Sequence, residues 1–281
     1  MSTDSIGRWR ALTIAGSDSG GGAGIQADLK TFAALGVYGT SAVTALTAQN
    51  TLGVTGVHVV PAEFVTAQIE SVASDIGCDA VKTGMLATSA IVEAVAAAVE
   101  ALDLPNLVID PVMVAKSGDR LLDADAVHAL KMSLLRLARV VTPNIPEAEA
   151  LAGITVTTRA DMREAARRIA AHGPQAVVVN GGHLPGTEVV DIVYENGLLH
   201  EFVGPRIEGP YTHGTGCTFA AAVTAGLARG ADLIASVGAA KAYVAGAMAR
   251  GVDVGRGHRP LDHFWQAGLT VSEGGKTAIL E

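Results

Sequence analysis

The sequence predicts an α/β fold in which helices pack against a mostly parallel sheet, and three observations carry that reading. Short apolar runs alternate with helical patterns from end to end, the mark of βαβ units. The runs are continuous stretches of Val, Ile and Leu, as expected of strands buried on both faces. Of the 281 residues 49% are apolar but only 4% aromatic, so the excess lies in small aliphatic side chains that allow close packing. No linker or repeat breaks the pattern, and one domain over residues 1–281 is expected, with a core at about 11–266 and a polar tail after Leu269.

Each element has a local cause. Residues 12–15 read as a strand, a Gly-rich turn follows, and 24–35 form a helix with Ile25, Leu29 and Phe32 on one face and Gly36 as its stop. Further strands are expected at 41–47, 80–82, 107–109, 140–141 and 176–179. Helical periodicity marks 62–74, 89–102, 123–137, 146–151 and 161–171. Residues 189–194 and 199–203 flank Glu195-Asn196-Gly197; Asn-Gly is a favoured two-residue turn, so an antiparallel hairpin is expected at the sheet edge. The last third reads as helical, at 215–228, 232–248 and 260–266.

Composition removes several function classes. Net charge is −8 and no cluster of Lys and Arg stands out, so there is no electrostatic footprint for nucleic acid. Mean hydropathy is positive, yet Gly, Thr, Glu or Lys breaks every apolar stretch short of the ~20 residues a spanning helix needs, and no membrane partner is expected. Residues 1–10 carry Asp4, Arg8 and Arg10 and no apolar run, so no secretion signal is expected, and the two cysteines, Cys78 and Cys217, lie far apart. A cytoplasmic location is therefore expected. Glycine is the anomaly, 33 residues, or about 12% against an average near 7%.

Ligands of open α/β sheets bind beyond the carboxyl ends of the strands, and the glycines concentrate there. Gly22-Ala23-Gly24-Ile25-Gln26-Ala27 formally matches the dinucleotide fingerprint, but no acidic residue lies between Asp28 and Glu63 to hold a ribose, which disfavours a nicotinamide oxidoreductase. A tight turn that needs glycine for backbone reasons is the plainer alternative. Gly275-Lys276-Thr277 ends like a Walker A motif, but Thr270 stands where its first glycine belongs. Gly214, Thr215 and Gly216 start an Ala-rich helix, so bare N–H groups and the helix dipole make an anion site. Cys217 falls in the first turn, where a lowered pKa would suit a general base, though a lone cysteine is also a small buried hydrophobe. Asp110 ends an apolar strand before Pro111 and suits Mg²⁺ or its waters. Asn144 and Glu147 share one turn at a helix start opened by Pro146, as inward ligands or as a cap.

Several segments in the same order closely resemble the hydroxymethylpyrimidine/phosphomethylpyrimidine kinases of thiamine biosynthesis. They are Ala-Gly-Ser-Asp and Gly-Gly-Ala-Gly-Ile-Gln-Ala-Asp-Leu-Lys-Thr within 13–51, Lys82-Thr83-Gly84-Met85-Leu86, Asp110 to Asp119, Thr142-Pro143-Asn144 with Glu147, Gly181-Gly182-His183, and His213 to Cys217. The resemblance runs over roughly residues 11–265. It implies a ribokinase-like three-layer α/β/α sandwich with a mostly parallel central sheet, a homodimer, and ATP- and Mg²⁺-dependent phosphorylation of 4-amino-5-hydroxymethyl-2-methylpyrimidine and then of its monophosphate. By resemblance Asp28 and Gln49 hydrogen-bond the aminopyrimidine, and Gly16, Gly22, Ala23, Gly24, Met85 and Val112 line its pocket. Cys217 takes the base position, Gly214, Thr215 and Gly216 form the anion hole, and Asp110 and Glu147 order Mg²⁺. Lys116, Asn144, Asn180, Gly182 and Lys241 lie near the nucleotide, although Lys241 also reads as a solvated helix residue. The family typically carries Lys before Gly-Gly-His; Asn180 brings no charge, so weaker ATP binding or slower turnover is expected unless Lys116 or Arg120 reaches in. Pyridoxine or pyridoxal kinase and a weakly active pyrimidine-binding sensor are the alternatives, whereas Cys217 stands where sugar kinases carry Asp.

Overall fold

The computed structural model describes residues 8–113 and 124–267. Among them nine strands form one sheet: β1 (Arg10–Asp18), β2 (Tyr38–Asn50), β3 (Gly53–Val59), β4 (Ala80–Thr83), β5 (Leu107–Ile109), β6 (Val140–Val141), β7 (Ala176–Val179), β8 (Glu188–Glu195) and β9 (Leu198–Pro205). Their order is β3-β2-β1-β4-β5-β6-β7-β8-β9. Neighbours from β2 through β7 run parallel. β3, β8 and β9 pair antiparallel at the two edges. The β8–β9 hairpin is the expected one: Asn196 and Gly197 take φ of 51° and 81°, the left-handed pair that a two-residue turn requires.

Side chains alternate across each strand, and this sorts the helices into two layers. Leu12, Ile14, Val81, Ile109, Val141 and Val177 share a core with α2 (Ala62–Asp75), α3 (Ser89–Ala101), α4 (Ala124–Ala129), α5 (Ile145–Ala152) and α6 (Arg159–Ala170). Ala11, Ala80, Val108, Val140, Ala176 and Val178 face the other way, onto α1 (Gly24–Ala34), α7 (Thr215–Ala228) and α8 (Leu233–Ala249). The result is the expected three-layer α/β/α sandwich. Helix α7 lies between the sheet, α1 and α8 and is buried on nearly all sides, which is why it is Ala-rich. The same parity puts Lys82 on the α1/α7 side of the sheet, in the layer of Ala80.

Three expectations are corrected. The helix expected at 123–137 runs only through α4 and then passes into a π turn (Leu130–Leu134) and a 3-10 turn (Leu135–Leu137). β3, absent from the sequence reading, extends the sheet beyond β2. No helix forms at 260–266. Arg259–Pro260 is instead a short strand, β11, paired in parallel with β10 (Tyr211–His213). Backbone donors there are used in tertiary bonds, Arg259 to the Pro210 carbonyl and Asp262 to the Ala247 carbonyl, so no helical ladder develops. Among the described residues no helix is long and apolar enough to cross a membrane.

Candidate active site

The carboxyl ends of the parallel strands gather two glycine loops. Gly214 caps α7 with φ of 85° and no side-chain bond. A methyl group there would collide with the Gly22 carbonyl oxygen, so both conformation and space demand glycine. The uncapped first turn leaves the N–H groups of Thr215, Gly216 and Cys217 at the positive end of the helix, and the Thr215 hydroxyl donates back to the Thr212 carbonyl at 2.8 Å. The second loop closes on Asp18, the last residue of β1, whose carboxylate accepts from the N–H groups of Gly20 (2.8 Å), Gly22 (3.0 Å) and Ala23 (2.9 Å). Gly24 opens α1 beside it. Met85, Ala45 and Ala87 form an apolar patch with Val112 packed on it, and the Met85 sulfur crowds Gly16. Gln49 is fixed by its backbone, which exchanges bonds of 2.7 and 2.8 Å with the Ser19 hydroxyl, and its Oε1 accepts from Thr47 at 3.1 Å.

Beneath the loops lies a buried charge cluster. Lys82 Nζ, with no solvent exposure, bonds both oxygens of Asp28 at 2.9 Å and lies 3.7 Å from Asp110. Thr13 donates to Asp28 at 2.6 Å. Burial opposes the ammonium charge, but Asp28, Cys217 and Asp110 around it hold the Lys82 pKa above its ordinary value. Asp28 is fully buried, and Lys82 and Thr13 together take three of the roughly four acceptor positions of its carboxylate. The lowered pKa expected of Cys217 is corrected. Burial pushes its thiol up to about 12; Asp110 and Asp28 add to this while Lys82 opposes. The helix terminus does not lower it.

Asp110 and Glu147 are both pushed upward, first by burial; Asp28 adds to the shift of Asp110, and the Asp110 charge adds to that of Glu147, which reaches about 8. Asp110 Oδ2 is buried without a hydrogen-bond partner. Among the described residues no group of three or more acidic, His or Cys side chains forms a protein-only metal nest. Mg²⁺ is commonly held by one or two carboxylates with substrate phosphates completing its shell, so an orphaned oxygen and two mutually repelling carboxyl groups fit that cation. Asn144 and Glu147 also form a reciprocal capping box, with bonds of 3.0 and 2.9 Å, so both readings of the pair hold together.

Toward β7 the expected nucleotide residues diverge. Asn180 donates to the Thr142 carbonyl at 3.0 Å and bridges Asn144 through its backbone. Gly182 is exposed, and its carbonyl accepts from Arg206 at 2.9 Å. Lys241 is not solvated: it bonds Asp191 at 2.6 Å and the Val189 carbonyl at 3.1 Å, and Asp191 accepts the Gly181 N–H at 2.9 Å. Its charge is already compensated. Lys116 and Arg120 lie outside the described residues. Sequence reasoning assigned no role to Lys82, Thr13, Asp18 or His213. A lysine inside an apolar strand was the available signal, because a buried charge needs a partner. A wide hollow of about 560 Å³ lined by Arg8, Trp9, Arg10, Tyr38 and Asp79 opens at the amino ends of β1 and β2, away from these groups.

A glycine-started anion loop, a carboxylate pair suited to Mg²⁺ and an apolar ring-sized wall at one sheet edge define a small-molecule phosphotransferase. Residues 18–262 match the phosphomethylpyrimidine kinase family. The chain is 49% identical over 257 residues to the hydroxymethylpyrimidine/phosphomethylpyrimidine kinase of Streptomyces coelicolor, covering 92% of this chain and 95% of that one. It is 51% identical over 260 residues to the thiamine biosynthesis bifunctional protein ThiED of Geobacter sulfurreducens, covering 92% of this chain but 53%, about half, of that relative. An ADP complex of Bacillus subtilis pyridoxal kinase matches with TM-score 0.87 at 41% identity, covering 93% of this chain and 99% of that one. The chain belongs to the phosphomethylpyrimidine kinase family.

Proposed function

We propose that this chain transfers the γ-phosphoryl group of ATP, with Mg²⁺, to the hydroxymethyl group of 4-amino-5-hydroxymethyl-2-methylpyrimidine, and then phosphorylates the monophosphate to the diphosphate. The observation that carries the reading is the meeting of the Gly214–Thr215–Gly216 loop with Lys82, Asp110 and Cys217 under it, in a chain of this family. The ring sits against Gly16, Met85 and Val112 with Gln49 at its polar edge, and the turn of Gly22, Ala23 and Gly24 closes over it. Asp28 supports Lys82 from behind. Asp110 and Glu147 would hold Mg²⁺, which would supply charge neutralisation at the phosphates. Asn144, Asn180 and Gly182 flank the nucleotide.

Phosphoryl transfer passes through a loose transition state, so positioning and charge stabilisation carry most of the rate. The N–H groups at the start of α7 receive the negative charge of the transferring group. The substrate oxygen bonds phosphorus as the bond to ADP breaks, and the hydroxyl proton passes to the thiolate form of Cys217, whose own proton has first left to solvent. A thiol held near 12 is a strong acceptor in its scarce thiolate form, and Lys82 offsets that charge. A coupled ADP-release assay with the pyrimidine, its monophosphate and pyridoxal tests the reading on wild type and Cys217→Ala. Preferred turnover of the pyrimidine and its monophosphate is expected, and in the variant the hydroxymethyl step, the one that gives up a proton, should fall on the order of 10²-fold, as for a positioned proton acceptor. Full activity of Cys217→Ala overturns the base role. The likeness to pyridoxal kinase supports a second reading, in which pyridoxal is the better acceptor.

We further propose a cytoplasmic homodimer. Both cysteines are unpaired, and Leu46, Val57, Val59 and Phe64 leave the β2–β3 edge and α2 apolar and exposed. Sedimentation at a single monomer mass would overturn the dimer.

A further inference from the structure

We propose that Asp18 and His213 are positioning residues that lock the substrate-ring turn and the anion loop into one rigid unit. This rests on the kinase reading above, since it says how the two halves of that site keep register. Asp18 is 2% exposed and His213 8% exposed, and they are 195 positions apart in sequence. His213 Nε2 lies 2.7 Å from Asp18 Oδ2, the same oxygen that accepts the Gly22 and Ala23 N–H groups. One carboxylate therefore organises the ring-side turn and holds the residue that immediately precedes Gly214.

Two further contacts join the same loops. The Gly22 carbonyl lies against Gly214, and the His213 ring covers Gly22 so closely that neither glycine has space for a methyl group. The need for such a tie follows from topology. β10, which delivers His213, pairs with β11 in a two-stranded ribbon and belongs to no strand pair of the nine-stranded sheet. The ring-side turn, by contrast, grows directly from β1, an interior strand of that sheet. Asp18 is the link that registers the ribbon against the sheet, and an error of about 1 Å between nucleophile and anion hole can cost on the order of 10²-fold in rate.

The test compares wild type with His213→Ala and His213→Gln, the second keeping a side-chain N–H near the Nε2 position. Two readouts are taken: kcat and KM in ADP release, and amide hydrogen exchange across both loops. His213→Ala is expected to lower kcat at least tenfold with both KM values within threefold. Exchange should quicken at least tenfold in residues 20–23 as well as 214–217 while α8 stays unchanged, and His213→Gln should recover both effects. The proposal is overturned if kcat stays within twofold, if the loss lies in KM, if exchange quickens only around 214–217, or if Gln gives no recovery. Should wild type release no ADP with any acceptor, the kinase reading fails by itself, and the exchange data alone decide whether the loops are tied.

Discussion

Replacing Lys82 with methionine removes the one ammonium that compensates Asp28 and screens Asp110, all three being nearly or fully buried. Breaking a buried ion pair by deleting one partner costs about 3–5 kcal/mol, because the remaining charge is stranded, whereas replacing both partners with apolar residues is often neutral. Lys82→Met is therefore expected to lose about 3–5 kcal/mol, and a chain of this size shifts its Tm by roughly 2–4 °C per kcal/mol, so the midpoint should fall by about 10 °C. Asp28→Leu alone should be similarly harmful. The double variant Lys82→Met/Asp28→Leu should recover most of the loss, giving a coupling energy above about 2 kcal/mol in a double-mutant cycle read by urea unfolding. Activity should not recover with it. Asp110 and Cys217 still lack the ammonium that sits 3.7 Å from Asp110, so kcat should remain at least tenfold down in a double variant that is again stable. A single-variant cost under about 1 kcal/mol, or simple additivity in the cycle, would refute the claim that Lys82 and Asp28 are a structural pair. Recovery of full activity in the double variant would refute the second step, that the ammonium serves the reacting groups.

The remaining predictions concern charge at the same edge. Glu147 has a folded pKa of about 8, raised by burial and by Asp110, against an ordinary value of about 4.3, so it favours folding below pH 4 and loses that contribution as pH climbs through 8. In a chelator, wild type should lose on the order of 4 kcal/mol between pH 4.5 and 8.5 from this group, and Glu147→Gln, which can still accept the Asn144 N–H, should flatten that slope in Tm. An unchanged slope counts against the shift. Asn180→Lys adds a charge where Lys241 is already paired with Asp191; the ATP KM should fall about threefold or kcat rise, since charge-assisted bonds are roughly twice as strong as neutral ones. If both parameters stay at wild type in steady-state kinetics, another cation serves the phosphates.

Which of these groups could be read from sequence follows from how far apart their partners lie. The β1 turn and α1 were legible because apolar run, glycines and helical period sit within 26 residues, from Arg10 to Leu35. The β8–β9 hairpin announced itself through Asn196-Gly197 alone. β11 could not, because its strand character comes from Tyr211 and its donors are satisfied by Pro210 and Ala247, while locally residues 260–266 look helical. The same division runs through the site. Gly214, Asp110 and the Asn144–Glu147 box were visible as local patterns at strand ends, and the structure gathers them at one edge.

The lowered thiol pKa expected of Cys217 and the isolated view of Asp28 fall short for a single reason. A local argument gives the thiol only the dipole of its own helix, which lowers a pKa by an amount set within one turn. The fold then adds burial and two carboxylates from elements 107 and 189 residues away in sequence, with one lysine opposing, and the thiol moves the other way. Asp28 carries the companion lesson: the resemblance implied a ligand contact, while Lys82, 54 residues on, bonds both of its oxygens. A buried charge inside an apolar strand therefore demands that its counter-charge be found first. Applied to Ala80-Val81-Lys82-Thr83, that rule points to Asp28 as the counter-charge at the foundation of the site.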